Sequence, residues 1–218
     1  MTDYQVKFET IAIADRSLYI RSLKDNQQFC DPEGIAENLG ISSAMWPFFG
    51  LVWPASRVLA KLVSQMSLQN KRILEVGCGI GLASLVAHQM GADITASDYH
   101  PMTQSFLLEN SKLNDLAPIP YQTGNWGEKN STLGKFDLIV GSDVLYEVQQ
   151  ADILAKFLAQ HSSQDGEIMI IDPNRGNRTK FNRALENLGY SCTSHKMQAE
   201  EHGGLLRNGY VMKYQNEN

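Results

Sequence analysis

Glu75, Gly77, Gly79, Gly81 and Asp98 are residue types at a spacing suited to holding a nucleoside cofactor. The run Ile73-Leu-Glu-Val-Gly-Cys-Gly-Ile-Gly81 carries an apolar strand into Glu-x-Gly-x-Gly-x-Gly. Glycines lack a Cβ, so the backbone can turn sharply and a ligand can lie directly against it. The next segment, Leu82 to Met90, has helical spacing, and its first N–H groups would be free to face a carboxylate or phosphate. About twenty residues beyond the first glycine, Asp98 ends the run Asp93-Ile-Thr-Ala-Ser-Asp98, where one carboxylate can take both hydroxyls of a ribose. A dinucleotide fingerprint needs its third small residue at position 82, but Leu82 stands there and the glycine comes one position early. A lone glycine motif is also compatible with a tight turn in any α/β protein. The ordered series of strand, acid, glycines, helix and second acid favours a cofactor.

These residues need a sheet to converge. From Lys71 onward, apolar stretches at 71–76, 92–97, 118–123, 136–141 and 167–172 read as strands, with helical patterns between them. That alternation predicts a parallel sheet with helices on both faces. Tyr190 to Met197 and Leu205 to Tyr214 follow one another with only a turn region at Gly203-Gly204, which predicts antiparallel pairing at an edge. Ahead of the sheet, Val6 to Ala14 and Ser17 to Leu23 alternate in the strand period around Asp15-Arg16, as a hairpin or as two extended pieces. Pro54 opens a helix running to about Met66, because Val58, Leu59, Leu62, Val63 and Met66 share a face. Ligands bind beyond the carboxyl ends of such strands. The strand ends bring Glu75 with the glycines, Asp98, Asn125-Trp126, and Gly141-Ser-Asp143-Val-Leu-Tyr146 to one crevice.

At 218 residues the chain suits one domain with a short extension: residues 1–50 as an N-terminal extension that could lie over the cofactor, and 51–218 as the main domain. Nineteen basic against 24 acidic residues give a formal charge of -5 without a basic stripe, which argues against a nucleic-acid partner. Three cysteines, at 30, 78 and 192, have no metal-ligand spacing and read as reduced thiols of a cytoplasmic protein. The amino terminus lacks a signal-peptide core, and the apolar run Ala44 to Ala55 is broken by Pro47 and Pro54, so no membrane partner is expected. His88, His100, His161, His195 and His202 share no metal spacing, and no metal is expected.

The glycine register, with Glu75 two residues before the first glycine, resembles motif I of the S-adenosylmethionine-dependent methyltransferases. Three local matches resemble methyltransferase family 16, which includes protein lysine methyltransferases. They are Phe49-Gly-Leu-Val-Trp-Pro-Ala-Ser56, motif I itself, and Asp143-Val-Leu-Tyr146, which is similar to the family's Asp-x-x-Tyr signature. Ile171-Asp-Pro-Asn-Arg-Gly176 is similar to the Asp-Pro-Gly-Arg segment of the branch that acts on an electron-transfer flavoprotein. The resemblance covers roughly residues 45–190.

It implies an α/β fold, a doubly wound and mostly parallel seven-stranded sheet of the Rossmann-like methyltransferase type, with an antiparallel edge. It implies S-adenosyl-L-methionine as cofactor, S-adenosyl-L-homocysteine as product, and a protein substrate methylated on a side-chain nitrogen, most simply lysine. Glu75, Gly77, Cys78, Gly79 and Gly81 would surround the methionine end together with Trp53 and Ser142. Asp98 would take the ribose, Trp126 would lie against adenine, and Asn125 would meet the adenine edge where many relatives have aspartate. Asp143 and Tyr146 would be the catalytic pair.

Each role has a structural alternative. Trp53 or Trp46 could be core, Asp143 could cap the next helix, Tyr146 could be an edge aromatic, Cys78 could merely fill space, and Arg175 could pair with a surface acid. A substrate lysine must react neutral although its ordinary pKa is about 10.4, and a bare carboxylate beside it favours the charged form. Asp143 is therefore better suited to orienting than to acting as a base. Two other readings stay open: a methyltransferase for a small molecule or RNA, and a noncatalytic module that binds the cofactor. The Asn-Pro-Pro-Tyr motif of base-methylating enzymes is missing after the fourth sheet strand, which weighs against nucleic-acid bases.

Overall fold

The computed structural model describes residues 4–128, 133–197, 206 and 208–217. Its first unit is a hairpin, β1 (Val6–Ile13) paired antiparallel with β2 (Arg16–Leu23). Ala14 turns the chain with a φ of 53°. Period-two alternation sends Ile11, Ile13, Leu18 and Ile20 inward, while Phe8 and Tyr19 stack on the solvent side. A short helix α1 (Ile35–Asn38) and a 3₁₀ turn over Trp46–Gly50 lead to α2 (Pro54–Ser64), which begins at the proline as its first-turn preference predicts.

The main sheet has seven strands: β3 (Arg72–Val76), β4 (Asp93–Asp98), β5 (Tyr121–Thr123), β6 (Phe136–Ser142), β7 (Ser162–Asp172), β8 (Tyr190–Lys196) and β9 (Tyr210–Asn216), in the order β5-β4-β3-β6-β7-β9-β8. Helices α3 (Leu82–Gln89), α4 (Thr103–Leu113), α5 (Gln150–His161) and α6 (Arg178–Glu186) alternate with them. The central strands are apolar on both faces and alternate between two cores. Ile73, Leu138, Val140, Met169 and Ile171 pack under α2, α3 and the hairpin. Leu74, Val76, Ile139, Ile168 and Ile170 pack under α5 and α6. A third cluster of Leu23, Trp46, Phe49 and Phe106 joins the 3₁₀ turn and hairpin to α4.

Three element boundaries depart from the periodicity. The strand expected over 118–123 is shortened to Tyr121–Thr123, because Pro118 and Pro120 lack the N–H that a ladder requires. β7 starts five residues early, at Ser162, with an irregular register opposite Phe136 and Leu138. β9 begins at Tyr210 rather than Leu205, and the Gly203-Gly204 turn lies outside the described residues. The reversed strand, β9, runs antiparallel to both β7 and β8, so the antiparallel pairing lies at this end of the sheet while β8 occupies its rim.

Candidate functional site

Beyond the carboxyl ends of β3, β4, β5 and β6 lies a cavity of about 520 Å³. Its lining includes ten of the residues singled out from the sequence: Trp53, Gly77, Cys78, Gly79, Asp98, Asn125, Trp126, Ser142, Asp143 and Tyr146. Glu75 and Gly81 do not line it.

The glycine loop explains this division. Gly77 has φ of 58°, and a Cβ there would come 2.7 Å from Val144 Cγ1. Gly81 has φ of 75° at the N-cap of α3, where a Cβ would come 2.5 Å from Leu107 Cδ1. Its glycine is therefore needed to seat the loop on α4. Glu75 is 1 % exposed and turns back beneath the loop. Its Oε2 accepts the Ser84 N–H at 2.8 Å and the Ser84 hydroxyl. The first-turn N–H of Ser84, expected to be open to a ligand, is thus taken by the chain's own carboxyl group, which also answers the positive end of α3.

Burial, helped by the charge of Asp98, pushes the Glu75 carboxyl up to about 7 against the hydrogen bonds from Ser84. A carboxyl raised in the folded state contributes stability that is complete below its unfolded pKa, near 4.5, and is lost as pH rises through about 7. Glu75→Gln removes that titration. Denaturant unfolding at pH 5 and pH 8 is expected to show the variant gaining on the wild type by up to about 3 kcal/mol across that interval. A pH-independent difference between the two proteins sinks the assignment.

Asp98 ends β4 with its carboxylate held by backbone. Oδ2 accepts the Gly79 N–H at 2.8 Å and Oδ1 accepts the His100 N–H at 2.9 Å. The carboxylate also lines the cavity, where it can accept from a cis-diol. Desolvation raises its pKa while these bonds lower it. Asn125 and Trp126 follow β5. The Asn125 Nδ2 donates to Glu128 Oε1 at 2.7 Å, and Oδ1 accepts the Gly127 N–H at 3.0 Å, so the amide closes the turn that presents Trp126. Trp53 donates its indole N–H to the Phe48 carbonyl at 2.9 Å and meets the Phe48 ring edge-on. Of the two tryptophans in doubt, Trp46 is core at 1 % exposure, and Trp53 faces the cavity.

Ser142 ends β6, and Asp143 follows it in a left-handed conformation, φ 56°, with its N–H donated to the Ile171 carbonyl at 2.9 Å. Asp143 does not cap α5, whose N-cap is Gln149 and has no side-chain cap. Its carboxylate is gripped instead by Arg175, from the segment after β7. Nε donates to Oδ1 at 2.8 Å and Nη2 to Oδ2 at 2.7 Å. Arg175 is anchored through its own N–H to Asp172 Oδ1 at 3.2 Å, and the Asn177 amide donates to the Leu145 carbonyl at 2.8 Å. The bond with Asp143 raises the guanidinium pKa further. Arg175 therefore pairs with the cavity acid itself, not with an acid elsewhere on the surface. Tyr146 is 43 % exposed, with its phenol raised to about 12 by desolvation and then by Asp98, Glu147 and Asp143. At neutral pH it is a neutral ring.

Phe49 and His100 also line the cavity, although the sequence assigned neither a site role. Phe49 stacks on His100, with ring centroids 4.0 Å apart and planes inclined by 13°. His100 Nδ1 accepts the Met102 N–H, and burial lowers the ring's pKa to about 4, leaving a neutral imidazole. The readable signal was its place two residues after Asp98. Among the described residues no three His, Cys, Asp or Glu side chains are grouped to hold a metal. The donor set fits S-adenosylmethionine: an open glycine backbone, a carboxylate on the cavity wall for a ribose, and an aromatic wall at Trp126.

A family model described as lysine methyltransferase matches residues 37–187. The electron transfer flavoprotein beta subunit lysine methyltransferase of Mus musculus is 34% identical over 133 residues, covering 59% of this chain and 51% of that protein. The histone-arginine methyltransferase METTL23 of Xenopus laevis is 37% identical over 125 residues, covering 52% of this chain and 53% of that protein. The chain thus spans about half the length of these two curated relatives. The solved ribosomal protein L11 methylase of Lactobacillus delbrueckii subsp. bulgaricus superposes with a TM-score of 0.57 at 24% identity, over 75% of this chain and 79% of that one.

Proposed function

The chain belongs to the lysine methyltransferase family, and from that premise we propose that it transfers a methyl group from S-adenosyl-L-methionine to the side-chain nitrogen of a protein lysine. The observation that carries this reading is the placement of Asp143 and Tyr146 on the same cavity as the glycine loop and Asp98. S-adenosylmethionine supplies a sulfonium methyl open to direct attack by a nitrogen, leaving S-adenosyl-L-homocysteine. The nitrogen lone pair forms the new N–C bond, the C–S bond breaks, and the nitrogen's proton passes to solvent. The protein's contribution is alignment and exclusion of water.

In this reading Asp98 holds the ribose and Trp126 covers the adenine, while Asn125 sets the turn that carries Trp126. The backbone at Gly77 to Gly79, with Trp53 and Ser142, borders the methionine end. Asp143 orients the incoming amine, and the Tyr146 ring offers its face to it. Glu75 and Gly81 act from behind by shaping the loop. We further infer that residues 1–50 form a cover over a methyltransferase domain at 51–218. Leu39, Ile41, Met45, Phe48 and Phe49 line the cavity and support this division. Free Cys30, Cys78 and Cys192 support a cytoplasmic location, and no helix among the described residues is long and apolar enough to cross a membrane.

Incubation with methyl-labelled S-adenosylmethionine and a cell lysate, with protease or nuclease treatment of the products, tests the reading. Protease-sensitive label recovered as methyl-lysine after hydrolysis is the expected result. Label in methyl-arginine, in nuclease-sensitive material or in small molecules replaces the substrate class, and binding without turnover leaves a noncatalytic module.

A further inference from the structure

We propose that Arg175 is a positioning residue that neutralises Asp143, so that a substrate amine is oriented by the carboxylate without being held as an ammonium ion; this rests on the methyl-transfer reading above. Both carboxylate oxygens of Asp143 are engaged by the guanidinium, at 2.8 and 2.7 Å, in the two-pronged geometry that arginine forms best. The Asp143 side chain is 11 % exposed and that of Arg175 43 %, so the acid is sheltered while the cation reaches the cavity. The guanidinium carbon lies 6.0 Å from the centre of the Trp53 ring, which carries it across the cavity wall.

The surroundings make the need plain. Asp98 at the end of β4, Glu147 after Tyr146 and Asp172 at the end of β7 add three carboxyl groups around the Asp143–Tyr146–Arg175 cluster. Arg178, at the start of α6, acts on Asp172. Tyr146 stays un-ionised and His100 neutral at physiological pH, so neither offsets this negative field. An unscreened Asp143 in that field would bind lysine tightly in its charged, unreactive form. Paired with Arg175, it keeps the lone pairs not used by the guanidinium for directing an N–H, while the pair as a whole carries no net charge.

The probe is Nα-acetyl-L-lysine methylamide, titrated calorimetrically at pH 7 into the protein saturated with S-adenosyl-L-homocysteine. Arg175→Gln is expected to bind this ammonium about tenfold more tightly than wild type, and Arg175→Lys to resemble wild type. Asp143→Asn introduced into Arg175→Gln is expected to remove the gain. In parallel, with the acceptor protein identified by its label and then purified in unmethylated form as saturating substrate, the pH limb of kcat is expected to move upward by about one unit or more in Arg175→Gln. At high pH the two enzymes are expected to converge. Unimpaired binding of S-adenosyl-L-homocysteine by each variant reports an intact fold.

Weaker or absent probe binding by Arg175→Gln overturns the inference, as does a kcat lowered equally at every pH. A raised KM with unchanged kcat also overturns it, because Arg175 would then be a substrate contact. If wild type forms no methyl-lysine, the functional reading fails; if it forms methyl-lysine with an unshifted limb in Arg175→Gln, only the present inference fails.

Discussion

Asp143→Ala is expected to retain S-adenosyl-L-homocysteine binding within a few-fold of wild type and to lower methyl transfer by on the order of 100-fold or more, the loss that misplacing a reacting group produces. The carboxylate makes its two charged hydrogen bonds to Arg175 and none to the glycine loop, so removing it leaves the loop's own bonds in place. What it leaves behind is a guanidinium without its counter-ion, beside the position assigned to the amine. A positive charge there repels an approaching ammonium and spoils its alignment. The backbone needs a control, because Asp143 has φ of 56° and alanine tolerates the left-handed region less well than aspartate or asparagine. Asp143→Asn keeps the conformation, removes the charge, and is expected to lose most of the activity as well. Calorimetry with S-adenosyl-L-homocysteine and a labelled-product assay on the same preparations separate the two effects. A mutant that no longer binds the homocysteine product moves Asp143 into the cofactor shell.

Asp98→Ala is expected to do the reverse, abolishing cofactor binding first and turnover only as a result. Two ribose hydroxyls donating to a carboxylate contribute about 1.5–3 kcal/mol each, so their loss weakens binding by at least about 100-fold. The same substitution strips the Gly79 and His100 N–H groups of their acceptor, loosening the loop and the Phe49–His100 stack together. Asp98→Asn retains one acceptor oxygen and is expected to lie between the two. The dissociation constant for S-adenosyl-L-homocysteine and the thermal shift it induces are the measurements. A constant within threefold of wild type for Asp98→Ala reduces Asp98 to a structural residue.

Apart from Trp53, which precedes α2, the site residues that converge on the cavity were readable because they lie at or beyond the carboxyl ends of strands, and the period-two alternation of Ile73 with Leu74 and Val76 shows directly in the two cores. The two amino-terminal strands were readable from the same alternation, which left open whether they pair as a hairpin. Three things were not. Motif spacing says that an acid precedes the glycines but not which way its side chain turns; the partner that turns Glu75 away is Ser84, nine residues on and past a helix start. The pairing of Asp143 with Arg175 joins residues 32 apart through two neighbouring strand ends, a contact local pattern does not encode. The order in which the last two strands enter the sheet does not follow chain order, and it shows instead in burial: β9, inserted between β7 and β8, buries Val211, Met212 and Tyr214, while β8 at the rim is largely exposed.

That order matters for when the protein can come into being. β9 lies between β7 and β8, so during synthesis those two strands have no partner on their facing edges until residues 210–216 emerge from the ribosome. Asp172, which anchors the Arg175 segment, pairs with Tyr210, the first residue of that strand. A nascent chain therefore can assemble the glycine loop and the bed for Asp98 early, from β3 and β4. The wall that carries Arg175, tied on one side to β6 through the Asp143 N–H and the Ile171 carbonyl, gains the support of its other edge when the last described strand slots in.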